Sequence, residues 1–125
     1  MVRLEADFSS TRDAPQNARD LIRAKVMDLV PATTLADVLT IVSELVENAA
    51  AHGDGSEARV RVGVLGDSVA GEVENDGYAE IGYETPDPQN LQGLGLHIVD
   101  AVATSWDVEY RDGPVTIVRF EVAFP

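Results

Sequence analysis

The stretch T-L-A-D-V-L-T-I-V-S-E-L-V-E-N-A-A-A-H, residues 34–52, decides how the rest of the chain is read. Leu35, Val38, Leu39, Val42, Leu45, Val46 and Ala49 recur at intervals of three and four, the period of a helix with one buried face. Thr33 or Thr34 is placed to cap this helix, and His52, Gly53, Asp54 and Gly55 are placed to stop it. A polar row breaks the apolar pattern. Glu44, Asn48 and His52 are four residues apart, so they stack along one helical face. A carboxylate, an amide and an imidazole bordering a core can line a pocket wall. With Glu47 nearby, a solvated polar face is the plainer reading of the spacing alone.

Working outward, residues 2–8 alternate Val2, Leu4, Ala6 and Phe8 with charged neighbours, as a strand with one buried face does. Ser9, Ser10 or Thr11 then caps a helix running to about Leu29, with Ala18, Leu21, Ile22, Val26 and Leu29 inward and Pro31 as its stop. Beyond the central helix, residues 58–64 and 69–74 alternate as two strands, joined by a hairpin turn at Gly66 and Asp67. Residues 75–92 are loop-like, and a loop of that length in a compact domain is usually a lid or a binding loop. A third helix is expected from about Gly93 to about Ser105, with Leu94, Ile98, Val99 and Val102 inward. Strands at 107–111 and 115–124 follow, turning at Gly113 and Pro114. Grouped helices and hairpin-linked strands predict an α+β two-layer sandwich, its mixed sheet mostly antiparallel with the helices on one face. Residues 1–125 make a single domain.

Composition narrows the function. Hydrophobic residues are 45% of the 125, enough for a real core. There is no cysteine, which excludes disulfides and thiolate metal sites. The net charge of −13 disfavours nucleic acid and anionic membranes, and favours either simple solubility or a basic protein partner. The acidic start at residues 1–7 lacks an apolar signal region, so a cytoplasmic location is expected.

Two further signals are each weak alone. Gly93, Leu94, Gly95 and Leu96 sit where a helix begins, and glycines there let free backbone N–H groups meet a phosphate. Neither the dinucleotide fingerprint nor a Walker A loop is present. Glu74, Asn75, Asp76 and Gly77 carry a strand into a tight polar turn.

Taken in order, these pieces resemble the GHKL superfamily of ATP-binding domains, whose fold is called the Bergerat fold. The segment S-E-L-V-E-N-A-A-A-H, residues 43–52, resembles that superfamily's N box in its anti-sigma-factor kinase form. A-P-Q-N-A-R at 14–19 and G-P-V-T-I-V-R-F at 113–120 are similar to the opening of that branch's first helix and to its final hairpin. The resemblance covers nearly the whole chain, and the N box is its most specific part.

The resemblance implies a set of roles. Asn48 would bind Mg²⁺, and Glu44 would be the general base. His52 would lie in the nucleotide site with them. Asn75 or its neighbour Asp76 would read adenine, with Gly77 as the first glycine of that box. Residues 78–92 would be the ATP lid. Gly93, Leu94, Gly95 and Leu96 would form the phosphate-binding helix start, and Thr116 would support the adenine end. The match departs at Asn75, where the family has Asp, and at Ala79, where it has Gly. The expected lid has no Lys or Arg and holds Glu80, Glu84 and Asp87, although phosphoryl transfer relies on cationic stabilisation. The expected function is a serine/threonine protein kinase using ATP and Mg²⁺. It would phosphorylate an antagonist protein and sequester a sigma factor, with a homodimer as the branch's common state. The alternative is a non-catalytic ATP-binding module that sequesters a protein partner. A metal hydrolase built on Glu44 and His52 is a poor third reading, because such sites usually need three protein ligands.

Overall fold

The computed structural model describes residues 2–9, 11–52, 57–77 and 96–125, the side chains of Val2 and of residues 50–52 excepted. The elements run β1 (Val2–Ser9), α1 (Ala14–Val26), α2 (Ala32–His52), β2 (Glu57–Val64), β3 (Ser68–Asp76), α3 (Leu96–Val102), β4 (Ser105–Arg111) and β5 (Val115–Ala123). The five strands form one sheet in the order β1-β2-β3-β5-β4. All four pairings are antiparallel, so no parallel pair makes the sheet mixed.

Strand alternation sends every second side chain to each face. Leu4, Val60, Val62, Val69, Val73, Val118, Phe120 and Val122 face one way and are buried with α1, α2 and α3 in one core. This is the α+β sandwich with helices on one face. The other face carries charge in rows. Glu5, Arg61, Glu72, Arg119 and Asp107 lie opposite one another across all five strands and alternate in sign. Arg61 reaches Glu5 and Glu72 at 3.6 Å each, and Arg119 reaches Asp107 at 3.8 Å. Exposed pairs of this kind contribute up to about 1 kcal/mol each.

Several local expectations are corrected. Ser9 and Thr11 do not cap α1, and Ser10 lies outside the described residues; Asp13 precedes the helix without a side-chain cap bond, and Pro15 occupies the first turn. Ala14, Ala18, Ile22 and Val26 are its buried stripe, whereas Leu29 lies past the helix in the turn before Pro31 and is 45% exposed. Neither Thr33 nor Thr34 caps α2. The helix begins at Ala32, and the Leu35 N–H bonds the carbonyl of Pro31, which occupies the cap position. Ile41 joins the buried set of α2 because this helix meets α1, α3 and three strands, so its apolar arc is wider than one stripe. The third helix is described only from Leu96 to Val102, and Ser105 already belongs to β4. Each fully buried aliphatic side chain of this core contributes about 1.5–3 kcal/mol by leaving water.

Candidate functional site

Glu44 and Asn48 lie on α2, half-buried, one turn apart, beside the buried Leu45, Val46 and Ala49. Among the described residues, one buried side-chain polar atom lacks a hydrogen-bond partner, and it is Asn48 Nδ2. Such an orphan costs about 1–3 kcal/mol, and a native chain normally satisfies it or uses it. A primary amide can present its oxygen to a cation or its NH₂ to a phosphate oxygen. The orphan is the NH₂ donor, which suits an acceptor such as a phosphate oxygen, while the amide oxygen is the atom that the cation role implied by the resemblance would use. His52 is the last residue of α2, and its side chain lies outside the described residues. Among the described residues, no three His, Cys, Asp or Glu gather as metal ligands.

A second cluster forms where β3 leaves the sheet. Ala58, Asn75, Thr116 and Tyr110 make one row across β2, β3, β5 and β4 on the helix-bearing face. The buried Thr116 donates from Oγ1 to the carbonyl of Gly77 at 2.7 Å. Gly77 N–H donates to the carbonyl of Pro114 at 2.8 Å. Gly77 has φ +94°, a backbone region that glycine enters without steric cost. Asn75 Nδ2 donates to the Asp76 carbonyl at 3.1 Å.

Asn75 and Asp76 part ways here. The residue after Asn75 faces the outer side, and Asp76 Oδ1 takes an ion pair from Arg59 Nη2 at 2.9 Å. Of the two residues offered by the sequence for reading a base, only Asn75 is on the helix side. Arg59 also donates from Nε to Glu74 Oε2 at 2.8 Å, and Arg61 donates to Glu74 Oε1 at 3.2 Å. Burial alone would raise the Glu74 carboxyl, but these bonds outweigh it and hold it below the usual carboxylate range. The Asp76 hydrogen bond, against opposing desolvation, raises the Arg59 guanidinium above its ordinary value. Burial also raises the Tyr110 phenol.

Chain connectivity limits how far the C-terminal end of α2 lies from the second cluster. Five steps lead from His52 to Glu57, at most about 18 Å of chain. Glu57 is followed by Ala58, the partner of Asn75. Leu96 opens α3 with its side chain in the core. Gly93, Leu94, Gly95 and the expected lid at 78–92, with Glu80, Glu84 and Asp87, lie outside the described residues. Sequence reading missed Arg59 and Tyr110. Alternation marks Arg59 as outward-facing, but which acids it meets, and which residue Tyr110 sits beside, depend on strand register.

A concavity of about 490 Å³ lies elsewhere, on the outer face. Gly63 and Ala70 line it together with Arg3, Arg61, Glu72 and Arg119, and none of the expected site residues does.

No family model and no curated protein matches the chain. Among solved structures, that of the RsbU and RsbW domains of a Mycobacterium tuberculosis protein is similar, with a TM-score of 0.76 over 98% of this chain. The two are 21% identical, and this chain spans 32% of that one. At this identity the likeness shows a shared fold, the α+β sandwich described above.

Proposed function

We propose that this chain binds ATP with Mg²⁺ and acts as a regulatory serine/threonine protein kinase, phosphorylating an antagonist protein and holding a sigma factor when that antagonist is absent. The observation that carries this reading is the unpartnered buried NH₂ of Asn48, a donor suited to a phosphate oxygen, set one helical turn after Glu44. When bound, ATP·Mg²⁺ would supply the phosphoryl group and the charge neutralisation its transfer needs. Asn48 would hold the cation through its amide oxygen, a hard donor suited to Mg²⁺. Glu44 would accept the proton from the attacking Ser or Thr hydroxyl. Asn75 would offer its amide oxygen to the adenine amino group, with Thr116 and Gly77 fixing the turn behind it. Backbone amides at Gly93, Leu94, Gly95 and Leu96 would meet the phosphates. The basic protein partner favoured by a charge of −13 fits the sequestering role.

A second reading has its own support. Residues 78–92 contain three acids and no Lys or Arg, so the chain brings no cation there to a γ-phosphate. This favours a module that binds ATP and a protein partner without transferring phosphate.

Glu44→Ala separates the two. Removing a general base lowers rate by about 10²–10⁴-fold. In the kinase, Glu44→Ala keeps nucleotide affinity and loses transfer of labelled phosphate to a verified antagonist. If the wild type itself transfers none to such an antagonist, the non-catalytic reading replaces the kinase.

A further inference from the structure

The outer face of the sheet carries a fork directly behind the turn that holds Asn75. Arg59 on β2 grips two successive outward residues of β3, Glu74 through Nε at 2.8 Å and Asp76 through Nη2 at 2.9 Å. Its side chain is 22% exposed, that of Glu74 17% and that of Asp76 37%, so the Glu74 contact is the better shielded of the two. Between the two gripped residues stands Asn75, whose side chain goes to the other face. Past Asp76 the chain leaves the sheet at Gly77, tied there by Thr116 and Pro114. The last residues of β3 are thus clamped from behind by Arg59 and ahead by β5. Asp7 of β1 lies opposite Arg59 as well. Without the guanidinium, Glu74 and Asp76 on β3 and Asp7 two strands away on β1 would lose the charge that lies between them, with Arg61 left on Glu74 alone, and the unbalanced charge would act on the end of β3.

We propose that Arg59 is a positioning residue of the base-reading turn, holding Asn75 in register against Thr116 from the opposite face of the sheet. This rests on the ATP-binding reading above. A planar fork that bridges two carboxylates is a task for arginine; lysine offers a point charge that satisfies one of them at a time.

Two readouts test it, one without nucleotide. In the first, amide hydrogen exchange compares Gly77 N–H, bonded to Pro114, with Leu65 N–H, bonded to Ser68 at the other end of the β2–β3 hairpin. Arg59→Gln should speed Gly77 exchange by about five- to tenfold and leave Leu65 unchanged, with Arg59→Lys intermediate. In the second, calorimetric titration with ATP and ADP should show both affinities falling by about five- to tenfold in Arg59→Gln. The factor by which Mg²⁺ tightens ATP should stay as in the wild type, because the phosphate end is untouched. Should Arg59→Gln not fold, Arg59→Lys carries the same comparison with smaller changes. Equal acceleration at Gly77 and Leu65 overturns the proposal, since Arg59 then stabilises the sheet as a whole. Unchanged nucleotide affinity in a variant of a wild type that binds overturns the proposal and leaves the ATP reading standing. A wild type that binds no nucleotide overturns both.

Discussion

Thr116 Oγ1 donates to the carbonyl of Gly77 at 2.7 Å, joining two residues 39 positions apart at the point where β3 leaves the sheet. Asn75 stands directly opposite Thr116 in the β3–β5 pairing. A polar side chain on the helix-bearing face, beside a turn fixed on both sides, is well placed to read a ligand's edge. The Asn75 NH₂ is turned toward its neighbour's carbonyl, which leaves the oxygen as the acceptor the side chain can offer.

Asn75→Asp should therefore tighten adenine nucleotide binding, because a carboxylate accepts a hydrogen bond more strongly than an amide. Asn75→Ala should weaken it. Calorimetric titration measures both. Loss of binding in Asp76→Ala with Asn75→Ala unchanged would move base reading to Asp76 and contradict a base-reading role for the helix-bearing face.

Gly71 tests the packing of the sheet. A Cβ there would lie 2.4 Å from Phe120 Cζ and 2.8 Å from Cε1, and Phe120 is buried in the core. The ring must shift or the strands must part. Gly71→Ala should cost about 1–3 kcal/mol, lowering Tm by about 4–12 °C. Gly66→Ala meets nothing within 4 Å and serves as the neutral control. Equal melting temperatures for the two variants would mean that the Phe120 ring does not sit over Gly71.

How much of this was legible beforehand differs by element. The period of α2 is strong enough to place Glu44 and Asn48 on one face beside the core without any structure. A single apolar stripe leaves out Ile41 because it assumes one neighbour, while α2 is packed on by helices and strands together. Alternation separates Arg59 and Arg61 from Val60 and Val62, but it does not say which acids they meet. The Thr116–Gly77 bond requires β5 to lie beside β3, a neighbour fixed by packing and not by local sequence. The expected C-terminal end of α3, at about Ser105, lies past the observed Val102 because Ala103 and Thr104 signal no stop as Gly or Pro would.

The ion pairs of Glu74 have a consequence in acid. Its carboxyl is held below its ordinary value of 4.5, so the unfolded chain takes up that proton first. The stability it contributes is present above about pH 4.5 and is lost as pH falls through the folded value. Glu74→Gln should thus show a shallower fall of the urea midpoint below about pH 4.5 than the wild type. Parallel curves for the two proteins would assign the acid sensitivity to other carboxylates.

The central claim is that α2 presents a Mg²⁺·ATP site, and Asn48 is its most direct probe. The measurement is a calorimetric titration of ATP into wild type and Asn48→Ala, each with Mg²⁺ and with EDTA. The account predicts that the wild type binds ATP, that Mg²⁺ tightens the binding, and that Asn48→Ala loses most of the Mg²⁺ increment while remaining folded. A folded wild type that binds no adenine nucleotide at millimolar concentration would contradict it.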